Sequence, residues 1–246
     1  EMPMQELLDR KVGGTGVVDL PTFFERETGR VQLESVNPSW LIFSDGFRGG
    51  ALRKLAKRVF DVCFGSLLLL ITFPLMALTA LLIWLESGRP ILYRQERIGE
   101  LDRPFSLLKF RSMGVNAEAD GNPRWATQDD ARCTRVGRVI RKLRIDELPQ
   151  LINVLKGEMS FVGPRPERTC FVEDLSKQIK YYPYRHSVKP GITGWAQICY
   201  PYGASAEDAK EKLQYDLYYV KNHGLFLDLV ILAQTAHIIL LGKGAR

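Results

Sequence analysis

The sequence predicts an α/β protein fastened to one face of a membrane, and three stretches predict it. Residues 62–85 form an uncharged apolar run long enough to enter a bilayer. Residues 90–113 alternate apolar and polar side chains around a glycine-containing turn, as a hairpin does. Residues 144–166 join a helical apolar stripe to two adjacent carboxylates and a stiff Gly-Pro-Arg-Pro corner. The expected architecture is monotopic, with a Pro-broken re-entrant helix, short strands and interfacial amphipathic helices.

The uncharged run extends over 24 residues, from Val62 to Leu85, which exceeds an ordinary globular helix. Arg53, Lys54, Lys57 and Arg58 precede it, and Arg89, Arg94 and Arg97 follow. Basic residues mark the cytoplasmic side, and here both flanks qualify. Pro74 lies mid-run, where it removes a backbone donor and kinks a helix, and Thr72 is near enough to satisfy a freed carbonyl. A kinked spanning helix is the commoner object. The charge pattern favours a helix over about 59–84 that enters and leaves by the same face.

Upstream, residues 1–50 read as the tail of another α/β domain plus a connector, with a strand at Gly16–Leu20 and a short Pro-initiated helix after it. No signal peptide is apparent. Downstream, the hairpin is followed by "RCTRVGRVIRKLR", which sets Arg135, Arg138, Arg141 and Lys142 opposite Val136, Val139, Ile140 and Leu143. Such a basic face suits anionic lipid headgroups or a phosphate substrate. The apolar C-terminal stretch from Gly224 carries Asp228, Gln234 and His237, which favours a core or interfacial helix over a second span.

Composition restricts the partners. The chain of 246 residues has a net charge of +6 and a pI near 9.1, so an anion is expected: nucleic acid, membrane surface or phosphorylated small molecule. Cys63, Cys133, Cys170 and Cys199 form no C-x-x-C pair and no ligand spacing with the three histidines. A zinc site and a disulfide framework are disfavoured, and a reducing compartment is expected.

Chemistry concentrates at "RIDELPQLINVLKGEMSFVGPRP". Ile145, Leu148, Ile152 and Leu155 form a buried stripe, and Pro149 is tolerated only in a first turn, so Asp146 is expected to cap a helix. The helix dipole there would keep its carboxylate ionised. Yet nine Lys or Arg against four acids occupy residues 132–168. An ionised carboxylate in a basic field suits attack on an anion that the bases hold. Phosphoryl transfer by an aspartate needs such a nucleophile, cations and usually Mg²⁺, with Asp146 and Glu147 supplying nucleophile and metal environment.

"KRVFDV", "KFRSM", "RIDELPQLINVLKGEMSFVGPRP", "KPGITGWAQI" and "LQYDLYYVKN" together resemble the bacterial sugar transferase family, the monotopic phosphoglycosyl transferases. The likeness runs from about Arg53 to the C-terminus. The leader "VVDLPTFFERETG" and the "CYPYGAS" run resemble the large exopolysaccharide members. That makes residues 1–50 the tail of an upstream nucleotide-binding-like domain, and 51–246 the catalytic domain.

The resemblance implies a two-step reaction at the cytoplasmic face of the bacterial inner membrane. Asp146 attacks the β-phosphate of a UDP-sugar, UMP leaves, and polyprenyl (undecaprenyl) phosphate takes the sugar phosphate from the aspartate. Glu147 completes the dyad and helps position Mg²⁺. Lys109, Arg111, Arg141 and Arg165 become phosphate ligands, and Asp216 a supporting or metal group. Membrane lipids are partners, nucleic acid is not, and a homodimer stays open. Smaller members carry an Asn-Gly-Arg run where this chain has "CYPYG", so an arginine that contacts substrate is absent. A non-catalytic membrane scaffold for polysaccharide assembly is the rival, and it does not require the dyad.

Overall fold

The computed structural model describes residues 4–34, 36, 50–115, 117, 131–200, 203 and 205–240. The connector at 37–49 and the Pro201–Tyr202 part of "CYPYG" lie outside them. Helices dominate: α1 (Met4–Val12), α2 (Leu20–Thr28), the long α3 (Ala51–Ser87), α4 (Arg135–Lys142), α5 (Gln150–Lys156), α6 (Thr169–Gln178), α7 (Trp195–Cys199), α8 (Ala206–Asn222) and α9 (Leu225–Leu240). Strands β1 (Leu92–Ile98) and β2 (Pro104–Phe110) pair antiparallel, with Leu92 opposite Phe110 and Ile98 opposite Pro104. Strands β3 (Ser160–Val162) and β4 (Gly191–Thr193) form a short parallel pair. The expected mixture of helices and short strands is present, including the hairpin that the alternation predicts.

Helix α3 holds 37 residues, about 55 Å at the usual rise. One side packs on the folded body through Leu68, Leu69, Met76, Ala80 and Ile83. The other presents Leu67, Leu70, Ile71, Phe73, Leu78 and Leu82 to the outside. This apolar, uncovered face is what a membrane anchor requires.

Both ends of α3 are tied to the same body. At the start, Arg58 donates to the carbonyls of Val154 and Leu155, both at 2.6 Å, on the carbonyl-bearing end of α5. Lys57 pairs with buried Asp228 of α9 at 2.6 Å, and Asp61 accepts from the Ser160 hydroxyl and the Phe161 N–H. At the finish, Arg111 donates to the carbonyls of Ser87 and Gly88. Glu86 accepts from the Arg135 and Val136 N–H groups at the open end of α4. Asp228 thus makes α9 a helix of the body, as its interior charge predicts.

Three expectations need correction. Gly16–Leu20 forms no strand: residues 15–19 are irregular and end in Asp19, whose side chain caps α2 by accepting from the Thr22 N–H. No neighbouring strand is there to pair with it among the described residues, and an unpaired strand leaves its backbone unsatisfied. The helix also runs on through Pro74 without a break. Thr72 donates to Leu68 O, its own preceding turn, and not to the Leu70 carbonyl that Pro74 frees. Last, α5 starts only at Gln150, with Pro149 ahead of it and no side-chain cap.

The N-terminal segment packs into the body. Val31 and Val36 join a core cluster with Leu175, Leu213 and Leu217. Lys221 of α8 pairs with Glu25 of α2, both buried. Trp195 donates to the Gly29 carbonyl at 2.7 Å.

Candidate active site

Four elements converge on the two adjacent carboxylates. Helix α4 starts at Thr134, whose hydroxyl caps the Gly137 N–H. A Cβ on Gly137 would stand 1.9 Å from the Ser112 carbonyl, so only glycine lets the helix approach the end of the hairpin this closely. After α4, Arg144 takes a left-handed conformation at φ 58°, uncommon for a side chain of its size. That bend turns the following 3₁₀ turn, Ile145–Glu147, inward, and leaves Asp146 8% and Glu147 9% exposed.

Glu147 is held by cations. Its Oε1 lies 2.8 Å from Lys109 Nζ of β2, 3.1 Å from Arg165 Nη2 and 4.0 Å from Arg144 Nη1. Burial alone would raise its pKa, but Lys109 and Arg165 outweigh it, with Arg144 adding, and hold the carboxyl well below the usual range.

Asp146 differs. It takes part in none of those ion pairs and caps no helix, against the expectation of an N-cap. Burial first, then the charge of Glu147, raises its pKa to about 6, while Lys109, Arg144 and Arg141 pull the other way. The dipole of a long helix does not set its ionisation. One carboxylate of the dyad is locked as an anion, and its neighbour is left chemically available.

The surroundings position these groups. Asn153, fully buried on α5, accepts from the Leu108 N–H and donates to the Ser106 carbonyl, which fixes β2 beside the dyad. Arg165 follows β3 on the Gly-Pro-Arg-Pro loop. A Cβ on Gly163 would meet the Lys189 carbonyl at 2.2 Å, so the loop crosses the segment leading into β4 at backbone contact. Arg185 donates to the Arg165 carbonyl at 2.9 Å and to the Tyr182 hydroxyl oxygen at 2.7 Å, and it pairs with buried Asp216 at 2.8 Å. Asp216 therefore acts on the loop through Arg185. Burial pushes its pKa up, and Arg185 offsets part of that.

The other expected residues fall in two places. Arg141 sits beside the dyad, near enough to lower the Asp146 pKa, and its Nη1 contacts Cys133 Sγ at 2.8 Å. Arg111 is drawn away to the end of α3, where it is buried against Ser87 and Gly88. Thr72 and Pro74 lie in the apolar stretch of α3. Sequence reasoning had Arg97 only as a basic flank of the membrane run, and missed Arg144, Asn153 and Arg185 as site residues. Arg144 adjoins the dyad and was open to detection; the other two act across 45 or 20 residues of chain and give no local signal.

A concavity lined by Arg97, Lys109, Gln150, Arg165, Pro166 and Gly191 adjoins the dyad. Its three cations suit a diphosphate. For a divalent cation, Glu147 Oε2 and the Asp146 carboxylate accept no hydrogen bond among the described residues, and no third His, Cys, Asp or Glu joins them there. Mg²⁺ takes few protein oxygens and completes its shell with phosphate and water, so this donor set fits it.

A buried carboxylate pair beside a basic cleft, on a body that carries a long apolar helix, is what a membrane-associated enzyme of phosphate chemistry would present. The model of the bacterial sugar transferase family matches residues 52–242. The chain is 45% identical over 222 residues to the UDP-N-acetylgalactosamine-undecaprenyl-phosphate N-acetylgalactosaminephosphotransferase of Aeromonas hydrophila, covering 90% of this chain and 52% of that protein. It is 40% identical to the UDP-glucose:undecaprenyl-phosphate glucose-1-phosphate transferase of Escherichia coli K12, covering 79% and 42%. With the protein of the same description from Caulobacter vibrioides the identity is 41%, covering 78% and 74%. The chain belongs to the bacterial sugar transferase family. It spans about half the length of the Aeromonas relative.

Proposed function

We propose that this chain transfers a sugar 1-phosphate from a UDP-sugar to a polyprenyl phosphate, undecaprenyl phosphate in the relatives' descriptions, by way of an aspartyl intermediate. The observation that carries the reading is the contrast within the dyad: Glu147 is neutralised by Lys109 and Arg165, while Asp146 is buried and forms no ion pair among the described residues.

In the first step an Asp146 carboxylate oxygen bonds to the β-phosphorus of the donor. The bond from that phosphorus to the bridging oxygen breaks, and UMP departs with the electron pair. In the second step a phosphate oxygen of the lipid attacks the same phosphorus and the Asp146 carboxylate is released. Arg97, Lys109 and Arg165 hold phosphate oxygens and offset their charge. With a pKa of about 6, Asp146 is mostly ionised at neutral pH without being a poor nucleophile. Mg²⁺, held by Asp146 and Glu147, would supply further neutralisation of the diphosphate.

The anchor supports placing both substrates on one side. A straight span would pull the body that grips both ends of α3 into two aqueous phases. An anchor whose two ends both stay at the cytoplasmic face of the inner membrane keeps the dyad near the headgroup level, where the lipid phosphate lies. The test is UMP release from a panel of UDP-sugars, including UDP-N-acetylgalactosamine and UDP-glucose, with Mg²⁺ and undecaprenyl phosphate. Absence of UMP with every donor would leave the scaffold reading in its place.

A further inference from the structure

The backbone that carries Arg165 is held from several sides. Pro164 and Pro166 have no N–H, so carbonyls are the main handles on this segment. The Pro164 carbonyl accepts from the Gly191 N–H at 3.0 Å, that of Arg165 from Arg185 at 2.9 Å, and that of Pro166 from Arg97 at 3.0 Å. A further carbonyl, at Val162 where β3 runs into the loop, is gripped by the membrane helix. Lys57 Nζ of α3 donates to it at 3.2 Å.

The aim of Lys57 is fixed by its other partners. An ammonium has three protons to donate, and Lys57 has an acceptor for each: Asp228 Oδ2 at 2.6 Å, the Tyr219 hydroxyl oxygen at 3.2 Å and the Val162 carbonyl. The Tyr219 hydroxyl has one proton and lies 2.9 Å from the Val162 carbonyl but 2.7 Å from Asp228 Oδ1. The carboxylate is the stronger acceptor and takes it, which leaves the carbonyl to Lys57. Tyr219 and Asp228 are each 1% exposed. One turn further along the same face of α3, Asp61 accepts from the Ser160 hydroxyl and the Phe161 N–H. Three consecutive residues of β3 are thus hydrogen-bonded to α3, and among the described residues β4 is the one strand beside β3.

Apolar contact alone can pack a helix on a strand, and a buried ion pair adds little stability over apolar side chains of the same volume. What Lys57 adds is direction. We propose that Lys57, aimed by Tyr219 and Asp228, is a positioning residue for Arg165. It fixes the carbonyl three residues ahead of Arg165 to the membrane helix. The guanidinium that reaches Glu147 at 3.1 Å and meets the donor's phosphates therefore stands at a height set by the anchor. This rests on the reading of Arg165 as a phosphate ligand. With its three protons taken, Lys57 is no phosphate ligand itself and acts through the loop.

Binding of UDP, with Mg²⁺, to the full chain in detergent tests this, because it can be read in variants that do not turn over. Lys57→Met, Tyr219→Phe and Asp228→Leu together exchange the polar knot for apolar side chains and leave no buried charge unpaired, so α3 stays packed. The proposal expects UDP affinity to fall about tenfold. It should fall no further when the same three changes are made in an Arg165→Met chain, where the interaction they disturb is already gone. Tyr219→Phe alone keeps the Lys57–Asp228 pair and carries the test if the triple variant does not fold. It should show the same dependence on Arg165, at about two- to threefold. A knot that only packs the helix would leave UDP affinity unchanged, or change it by the same factor in both backgrounds. Either result overturns the positioning role while UMP release by the wild type still stands. Full UDP affinity in Arg165→Met removes Arg165 from the phosphates, and the positioning role with it. A wild type that binds no UDP overturns the role and the reading of the site together.

Discussion

Lys109 Nζ stands 2.8 Å from Glu147 Oε1, and the neighbouring Asp146 has no such partner among the described residues. Two carboxylates adjacent in sequence are thereby driven apart in acidity. Glu147 is held ionised at any physiological pH, and Asp146 titrates near 6. Such a split assigns different roles to chemically similar groups.

The pH profile follows. On the proposed mechanism, protonation of Asp146 stops the first step, so the UMP burst should slow as pH falls, with a midpoint at or below about 6 because a bound Mg²⁺ lowers the Asp146 pKa further. Lys109 lowers the Asp146 pKa, so Lys109→Met should move this limb to higher pH as well as slowing the reaction. A burst that does not slow at any acid pH would contradict the assignment.

Stability should move the other way from activity. Asp146 is raised from 3.8 to about 6, so the folded state binds its proton more tightly than the unfolded chain does. Stability is therefore greatest below the unfolded value and declines as pH rises through this window. At pH 7 the ionised group costs up to about 3 kcal/mol. Asp146→Asn removes that cost and should raise the thermal midpoint while abolishing turnover. A lower midpoint would show that the carboxylate stabilises the fold.

Asp216→Asn should act at a distance. It leaves the buried Arg185 guanidinium without its counter-charge, a change that typically costs about 3–5 kcal/mol. Arg185 also holds the Arg165 carbonyl, so KM for the donor should rise among the molecules that remain folded. Replacing Arg185 by Met in the same chain should recover stability but not KM. Recovery of both would confine Asp216 to a packing role.

Membrane placement has its own test. Single cysteines placed near Arg53 and near Arg89 should both be labelled from the cytoplasmic side, because both ends of α3 are bound to one body. Labelling from opposite sides sinks the one-sided anchor.

What the sequence revealed of this fold depended on local pattern. The hairpin was legible because β1 and β2 alternate and are joined by a short turn. Helix α4 was legible in part: Val136 and Ile140 turn inward and Arg135 and Arg138 outward, but Val139 and Leu143 of the expected apolar face are exposed and Arg141 is half-buried beside the dyad. The dyad showed itself as acids within a basic field. Gly16–Leu20 misled because its apolar residues imitate a strand, and strand formation requires a partner that sequence pattern does not display. Asp146 misled as a cap because the left-handed bend at Arg144, which delays α5 to Gln150, is set by packing. Lys57–Asp228 and Arg185–Asp216 were illegible for a simpler reason: each pair is formed by tertiary contact across the chain.

The most direct measurement is the mass of the enzyme after incubation with a UDP-sugar and Mg²⁺ alone. Chemistry that passes through an aspartyl phosphate splits into two half-reactions. UMP should appear in a burst of at most one equivalent per site, and the peptide containing Asp146 should gain a sugar phosphate that polyprenyl phosphate then discharges. No burst and no adduct until both substrates are present would mean direct transfer, and would remove Asp146 from the role of nucleophile.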